Sequence, residues 1–325
     1  MPLVLTPDKV VLSAAVRPQE DAREFASELK LPLDIDGFFM EAHMKLNPLD
    51  FASSGFFLCG LAHGPKPIEE SIAQAKGAAA RAVTLLSKTE LMVGGEIAQV
   101  DPDACAACLT CVRSCPFGVP RIGDGKGSED NEVAVIDPAG CRGCGVCAGA
   151  CPNNAIQIAH HGDPQIMNKV FALFDKPLPR EPYDPRIVAF ICTYCTYTAA
   201  DMAGSLRMQY PANVRVAKLL CTGRVDTKHL LAAFEAGADA VMVSGCELGD
   251  CHFLEGNNRA VQRVAQTKKI LEATGIEPER LEMFHVGASD APGWVKAVGE
   301  MVERAQTLGP SPLRSDLPLK AAATA

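Results

Sequence analysis

The chain has 325 residues, of which 48% are hydrophobic and 22% charged, which is typical of globular rather than disordered proteins. This length predicts about two domains, or three. The formal net charge of −8 argues against nucleic acid as the main partner, because phosphate binding requires a basic surface. No apolar stretch approaches the roughly 18 to 20 residues of a membrane span and no secretory signal is visible, so we expect a cytoplasmic protein.

Cysteine is the residue type that stands out, with 14 copies. Cys59 is alone, eight cysteines lie between 105 and 151, and five lie between 192 and 251. In a long chain expected in the cytoplasm, grouped thiols indicate metal binding rather than a disulfide scaffold. We interpret the lone Cys59 as a buried packing residue.

The first predicted segment, residues 1–98, mixes strand-like and helix-like sequence. The acidic residues Glu69 and Glu70 are interpreted as lying in the first turn of a helix, where carboxylates interact favourably with the positive end of the helix dipole. We therefore interpret them as helix charges rather than as a catalytic pair.

Residues 31–88 resemble the C-terminal end of the FAD domain in the A subunit of heterodisulfide reductase. The resemblance implies a short strand over 55–58 and a helix over 67–87. It also implies a flavin near the N-terminus of that helix, with Gly60, Gly64 and Pro65 as candidate FAD contacts. The chain departs from that family because no Gly-x-Gly-x-x-Gly motif follows a predicted strand, so the part that would hold the FAD pyrophosphate is missing. The segment either completes a flavin site with another polypeptide, serves as a docking element without flavin, or only packs.

Residues 99–160 are rich in Gly, Pro and Cys and carry two matched cysteine runs. Each run has the pattern Cys-x2-Cys-x2-Cys-x3-Cys-Pro, the spacing of bacterial two-cluster ferredoxins, in which the fourth cysteine of each run binds the other cluster. The predicted ligands are Cys105, Cys108, Cys111 and Cys151 for the first [4Fe–4S] cluster, and Cys141, Cys144, Cys147 and Cys115 for the second.

Zinc is the alternative occupant of these runs, since Cys-x2-Cys pairs also bind zinc. Two matched runs that both end in Cys-Pro favour iron–sulfur clusters instead. Small residues between the ligands, such as Gly143, Gly145 and Ala148, let backbone amides approach the cluster sulfides, where hydrogen bonds tune the reduction potential. We therefore predict a ferredoxin domain with two [4Fe–4S] clusters.

Residues 161–185 are predicted to be a linker, because they end in a stretch rich in proline and charge. Beyond it, residues 186–308 alternate strand-like runs with helix-like segments, which predicts a doubly wound parallel α/β domain. Residues 309–325 are predicted to be a tail without regular structure. The predicted strands are 186–192, 214–221, 239–246 and 280–286, and the predicted helices are 227–236, 255–273 and 292–308.

Five cysteines of this α/β segment are expected to converge. Three of them end predicted strands, where parallel α/β sheets bind ligands, and the other two follow within a few residues. Two interpretations stay open on spacing alone: four of the five bind a [2Fe–2S] cluster, or the thiols pack as small hydrophobic groups. The five are Cys192, Cys195, Cys221, Cys246 and Cys251.

The stretch 191–257 resembles the delta subunit of methyl-viologen-reducing hydrogenase, and the resemblance extends over about 186–310. It rests on the paired cysteines, on Cys-Thr-Gly-Arg at 221–224 and on Gly-Cys followed by Gly-Asp-Cys-His within 245–252. It implies a [2Fe–2S] cluster on four of the five cysteines. Arg224 and His252 lie beside ligand positions; each either hydrogen-bonds cluster sulfur or is an ordinary surface or packing residue.

The order of the segments resembles the C-terminal part of the A subunit of heterodisulfide reductase joined to the hydrogenase delta subunit. This resemblance implies an iron–sulfur electron-transfer subunit of an anaerobic oxidoreductase complex. The expected partners are heterodisulfide-reductase-like subunits and a hydrogenase, a formate dehydrogenase or another redox subunit. Quinone-interacting membrane-bound oxidoreductase subunits have a similar fusion, so we also consider attachment to a membrane through a complex.

Two other functions stay open at this point. The chain completes an FAD site and takes part directly in bifurcating or quinone-linked flavin chemistry, or its clusters only stabilise the fold. Outside the cysteine groups the sequence has no recognisable catalytic motif of the Ser/His/Asp, H-E-x-x-H or P-loop kind, so no catalytic residue is predicted. Whether the chain is an enzyme in its own right is left undecided.

Overall fold

A computed structural model describes residues 6–29, 31–42, 44, 47–51, 55–90, 94–124, 132–174 and 183–314. The chain divides into two units, Met1–Leu91 and Met92–Ala325. Part of the predicted linker, 175–182, and the predicted tail beyond 314 lie outside the described residues. Among the helices that the structure describes, none combines the length and the apolar character needed to cross a bilayer.

The first unit contains helix α1 (Ala22–Leu29) and helix α2 (Ile68–Leu86). Helix α2 confirms the helix predicted over 67–87, and Glu69 and Glu70 lie in its first turn. The strand predicted over 55–58 is wrong: Phe57 forms only a single antiparallel bridge with Asp50. Gly55 has a φ of +88°, outside the β region, so an extended ladder does not form there.

The second unit begins with the segment that carries the two cysteine runs. Two antiparallel pairs frame it: β1 (Ala98–Val100) pairs with β4 (Ile156–Ile158), and β2 (Arg121–Asp124) pairs with β3 (Glu132–Val135). Two short helices start inside the cysteine runs. They are α3 (Thr110–Ser114) and α4 (Val146–Ala150).

The two cysteine runs share their backbone geometry. The residues that precede α3 and α4, Leu109 and Gly145, both have left-handed φ values, of 62° and 78°. The same holds two residues earlier, where Ala107 has a φ of 47° and Gly143 a φ of 68°. Because equivalent positions adopt the same uncommon conformation, the repeat seen in the sequence is also a repeat of structure.

The rest of the second unit is built on a four-stranded parallel sheet. Its strands are β5 (Ile187–Cys192), β6 (Val214–Leu219), β7 (Ala240–Gly245) and β8 (Leu281–His285), in the order β6-β5-β7-β8. These positions confirm the four predicted strands. The central strands β5 and β7 are buried along their whole length, which explains their continuous apolar sequence.

Helices cover both faces of this sheet. The helices are α5 (Asp163–Ala172), α6 (Thr196–Ser205), α7 (Thr227–Glu235), α8 (Gly256–Ala273) and α9 (Ala291–Leu308). Because side chains alternate along a strand, Val188 and Phe190 of β5 enter one core with α5, α7 and α8, whereas Ile187 and Ile191 enter the other with α6 and α9. The three predicted helices of this region correspond to α7, α8 and α9.

The segment predicted as a linker, 161–185, contains helix α5. Its residues Ile166 and Val170 are buried in the core against the sheet, together with Phe174 just beyond the helix. The helix starts after Gly162 and carries Pro164 in its first turn, a position where proline is tolerated because its missing N–H would be unpaired anyway. The sequence predicted a linker over the whole of 161–185 because its second half is rich in proline and charge, and the amphipathic pattern of the first half is short.

Residues 309–314 have no regular structure, yet they are fastened to the sheet domain. The backbone N–H of Ser311 donates to Asp239 Oδ1 at 2.9 Å, and Arg314 Nη1 donates to Asp239 Oδ2 at 2.9 Å. Arg280 Nη1 donates to the carbonyl of Gly309 at 2.8 Å. Both charges of the Arg314–Asp239 pair are buried, so this part of the predicted tail belongs to the folded domain.

Candidate metal centres

The four cysteines predicted to hold the first [4Fe–4S] cluster line one cavity. The walls are apolar, with Ile122, Ala134 and Ile156 among them. The set includes the fourth cysteine of the second run, as the ferredoxin spacing predicts. These residues, named the first set here, are Cys105, Cys108, Cys111 and Cys151.

The first set lies at the protein surface through Cys108, which is exposed. The Thr110 hydroxyl, 3.4 Å from Cys108 Sγ, lowers the pKa of this thiol by hydrogen bonding. The backbone N–H of Ala134 donates to Cys105 Sγ at 3.4 Å. Hydrogen bonds of this kind favour thiolate sulfur, which is the form that binds metal.

The second set consists of Cys115, Cys141, Cys144 and Cys147. Burial raises the pKa of Cys144 to about 12, and Cys115 and Cys141 contribute to the same rise through their charge. Burial also raises the pKa of Cys147 well above its usual range. Thiols this buried stay protonated at neutral pH unless a cation replaces their protons, which is the behaviour of metal ligands.

The five cysteines of the α/β domain, the third set, are brought together as predicted. Cys192 ends β5, Cys246 follows β7, and Cys195 caps α6; their Sγ atoms all lie within 4.8 Å of one another. The thiols of Cys221 and Cys251 interact with each other, which raises the pKa of Cys221 and lowers that of Cys251. Cys192, Cys221, Cys246 and Cys251 lie in one buried cluster, and Cys195 packs against it, so the five thiols form one group.

Backbone amides surround the sulfur atoms of the third set. The N–H groups of Cys195 and Thr196, at the start of α6, both donate to Cys192 Sγ at 3.4 Å. The N–H of Gly223 donates to Cys221 Sγ at 3.4 Å. A helix N-terminus and a tight turn therefore present donors to sulfur, as sites for anionic groups require.

The thiols suit metal centres better than disulfides. All 14 cysteines are free, and the Sγ atoms of Cys192 and Cys246 lie 3.9 Å apart, far beyond the roughly 2.05 Å of a disulfide bond. Thiols grouped in fours and fives, more than half of them buried and with amide donors around them, are the soft ligand sets that hold iron–sulfur clusters. The residues present therefore fit iron–sulfur clusters.

The three sets follow one another through the second unit. The charge of Cys111 in the first set acts on Cys147 in the second, so these two sets are neighbours. Cys144 of the second set shares one buried apolar cluster with four cysteines of the third set. Phe117 and Phe253 also border this cluster, with ring centroids 6.5 Å apart. The second and third sets are therefore in direct contact through a common core.

Arg224 and His252 lie in different surroundings. Arg224 is 2% exposed and its Nη2 donates to Asp163 Oδ1 at 2.6 Å, so the interpretation of a solvated surface residue is wrong for it. His252 is exposed and stacks on Tyr194, with ring centroids 3.7 Å apart and an interplanar angle of 16°. Cys59 is half-buried and lies in the first unit.

The candidate flavin residues form a loop just before α2. Gly60 and Gly64 have positive φ values, of +64° and +150°. The N–H of Gly60 donates to Gln74 Oε1 at 3.0 Å, which ties the loop to the helix. Lys66, which sequence reasoning did not single out, donates to the same oxygen at 3.0 Å. The loop is therefore held in place by helix α2 itself.

The fold and the cysteine sets define an iron–sulfur protein with two cluster-binding regions. Residues 97–152 match the model of the 4Fe-4S dicluster domain, and residues 187–309 match the model of the methyl-viologen-reducing hydrogenase delta subunit. Through the second region the chain belongs to the methyl-viologen-reducing hydrogenase delta subunit family. It is 48% identical over 132 residues to an iron–sulfur subunit of the F420-non-reducing hydrogenase of Methanocaldococcus jannaschii, covering 98% of that protein and 41% of this chain.

A second group of relatives matches nearly the whole chain. The chain is 40% identical over 303 residues to the A subunit of ferredoxin:CoB-CoM heterodisulfide reductase of Methanosarcina mazei, which is 93% of this chain and 37% of that protein. A similar match, at 39% identity, is found with the A subunit of the ferredoxin/F420H2-dependent enzyme of Methanosarcina acetivorans. The chain thus spans little more than a third of these relatives. The predicted resemblance to a fusion of the two families is confirmed.

Replacing Gly256 with alanine is expected to disrupt metal binding by the third set. A Cβ at Gly256 would lie 2.1 Å from Cys221 Sγ and 3.5 Å from Cys251 Sγ, so the first turn of α8 or the thiols must move. Iron analysis of the anaerobically purified variant measures the loss. Gly299→Ala in α9 is the matched control, since nothing lies within 4 Å of its Cβ and alanine favours a helix by about 0.5–1 kcal/mol. Full iron content in the Gly256 variant would contradict the close packing described here.

Proposed function

We propose that the chain is an iron–sulfur electron-transfer subunit that relays single electrons between a hydrogenase or another dehydrogenase and a heterodisulfide-reductase-like flavoprotein complex. The observation that carries the proposal is the shared buried cluster in which Cys144 of the second set meets the third set. Adjacent redox sites that share a packed apolar core suit a relay. The printed names of the relatives, which call them a hydrogenase iron–sulfur subunit and a heterodisulfide reductase subunit, point to the same role.

The proposed ligand assignments follow the sets. The first and second sets each hold a [4Fe–4S] cluster, and four of the five cysteines of the third set hold a [2Fe–2S] cluster. When bound, these clusters supply one-electron redox chemistry. The chain itself excludes water around Cys144 and Cys147 by burying them. Its backbone N–H groups donate to cysteine sulfurs and so stabilise negative charge on these atoms.

The ends of the relay differ in exposure. At the first set, Cys108 and the neighbouring Leu109, which is 39% exposed, offer an edge on which a partner can dock. At the third set, Tyr194 and His252 form an exposed aromatic stack beside Cys195 and Cys251. We propose that one redox partner docks at each end of the relay.

We also propose that the domain between residues 186 and 308 is a doubly wound domain, with helices on both faces of its sheet. The complex is proposed to act in the cytoplasm.

A second candidate function, that the first unit completes an FAD site with a flavoprotein partner, is favoured by helix α2. Ala78 is its one buried residue, and several large apolar side chains are exposed along it. Ile68 and Ile72 are 79% and 51% exposed, and Val83 and Leu86 are 58% and 83% exposed. A partner that packs on this helix would bring its flavin near the loop of the three candidate FAD contacts, which are Gly60, Gly64 and Pro65.

The test of both functions starts from the anaerobically purified full chain, alone and with its co-purifying partners. We expect about ten iron and ten acid-labile sulfide atoms per chain, paramagnetic signals after reduction with dithionite, and oxidation of the reduced chain by the partner complex. Zinc without sulfide would overturn the cluster assignment. Clusters that dithionite cannot reduce would favour a purely structural role. FAD that is retained only together with a partner would support the second function.

A further inference from the structure

A buried arginine lies where the second and third cysteine sets meet. Arg224 follows Cys221 by three residues, and its backbone N–H donates to the carbonyl of Cys221 at 3.0 Å. Its side chain runs along Gly145, the residue after Cys144: a Cβ at Gly145 would lie 2.6 Å from Arg224 Cδ. Glycine at this position thus makes room for the arginine stem. The side chain of Arg224 thus packs beside the second set, and its backbone is hydrogen-bonded to a cysteine of the third set.

The guanidinium of Arg224 is only partly satisfied. Nη2 donates to Asp163 Oδ1 at 2.6 Å and approaches Gln157 Oε1 at 3.4 Å. Nε and Nη1 are buried and have no hydrogen-bond partner among the described residues. Buried donors of a charged group are rarely left unpaired, because each loses its bonds to water without replacement. A group that accepts these two hydrogen bonds is therefore expected beside Arg224.

The charges around Arg224 do not cancel. Asp163, the carboxylate that pairs with Arg224, also accepts from Lys228 Nζ at 2.6 Å, and Asp226 lies 3.5 Å from the same lysine nitrogen. Arg263 adds a further positive charge, since its Nη1 donates to the carbonyl that directly precedes Arg224 in the chain. Two carboxylates thus face three permanent cations. This leaves a net positive charge in a largely buried position, where an anionic acceptor is favoured.

We propose that Arg224 donates hydrogen bonds from Nε and Nη1 to sulfur of the iron–sulfur cluster held by the second set, and that it raises the reduction potential of that cluster. The proposal rests on the proposed function and deepens it. Reduction adds one negative charge to a cluster, so a buried positive charge and two further N–H donors stabilise the reduced form more than the oxidised form. Arg224 then sets the reduction potential of the second cluster, and so the driving force for electron transfer between the second and third centres.

The test is a redox titration of the full chain, monitored by paramagnetic resonance, for the wild type and three variants. Arg224→Gln removes the charge and is expected to lower one [4Fe–4S] potential so that the one-electron equilibrium shifts at least tenfold, or about 59 mV. Arg224→Lys keeps the charge and should give a smaller shift. Asp163→Asn removes the opposing carboxylate and should move the same potential upwards.

The control is Arg259→Gln, because Arg259 pairs with Glu255 on the exposed side of α8 and not with a cysteine. Iron content is measured for every variant. An unchanged potential in Arg224→Gln with full iron, or a shift in the same direction in Asp163→Asn, would overturn the proposal. If Arg224→Gln loses iron, the other two variants still test the proposal: the potential should fall slightly in Arg224→Lys and rise in Asp163→Asn. Wild-type clusters that are absent or cannot be reduced would refute the proposed function instead.

Discussion

Replacing Cys144 with serine is expected to interrupt electron transfer between the first and third cysteine sets. Cys144 is buried, and it is the residue of the second set that lies in the same apolar cluster as the third set. Loss of this ligand should cost the second cluster, which lowers the iron content by about four atoms per chain. Replacing a residue that only hydrogen-bonds to a metal ligand typically costs roughly 10–100-fold in metal affinity or activity. Loss of a ligand itself is therefore expected to lower the rate of electron transfer by more than about 100-fold.

The measurement is the rate at which the dithionite-reduced chain is oxidised by its co-purified flavoprotein partner, together with iron content and the paramagnetic spectrum. Cys59→Ser is the matched control, because Cys59 lies in the first unit, outside all three sets. It should keep full iron and the wild-type rate. A Cys144→Ser protein with full iron and an unchanged rate would show that the second set is not a step of the relay.

Replacing Arg314 with alanine is expected to destabilise the sheet domain by about 3–5 kcal/mol. Arg314 and Asp239 form an ion pair with side chains 1% and 0% exposed, so removal of the arginine leaves a buried carboxylate without its opposing charge. The backbone N–H groups of Arg186 and Ser311 still donate to Asp239, at 2.8 and 2.9 Å, and soften the loss without neutralising it.

Trp294 provides the probe for this effect. It is the single tryptophan of the chain, and it is buried in the core that α9 forms with the sheet. Its fluorescence during denaturant unfolding of the anaerobic protein reports on this domain alone. Arg304→Ala is the matched control, since the pair of Arg304 with Glu282 is about a quarter exposed and should contribute roughly 1 kcal/mol or less. Equal losses in the two variants would rule out a structural role for the buried pair.

The cysteine pattern of the ferredoxin segment could be predicted from the sequence because it depends on the spacing of neighbouring residues. Two-residue gaps between cysteines force three thiols onto one turn, and a fourth before proline points to the neighbouring site. The structure places Cys151 in the cavity of Cys105, Cys108 and Cys111, in agreement with this spacing. The four parallel strands were equally accessible, since runs such as 187–192 are apolar at every position, as buried parallel strands are.

The elements that sequence reasoning missed depend on contacts between distant segments. Helix α5 lies in a stretch that reads as a linker, and only the sheet against which Ile166 and Val170 pack shows that it is part of the domain. The strand expected over 55–58 had the right composition but forms a bridge at one position instead of a ladder. Tertiary packing routinely overrides a weak local preference for helix or strand. Here it stabilises a helix that the local sequence did not predict, and it leaves a predicted strand without a ladder.

By itself, therefore, the sequence determined the ferredoxin domain with its two cysteine runs, the parallel strands and the family resemblances, because spacing and periodicity are properties of neighbouring residues. The tertiary structure was needed to show how deeply the cysteines of the third set lie: of the five that were expected to converge, all but Cys195 are buried in one cluster. It also decided that Arg224, which packs against Gly145 beside the second cysteine set, is buried rather than solvated. The physical reason is that burial and charge compensation arise between segments far apart in the chain, which meet only when the sheet and its helices have formed.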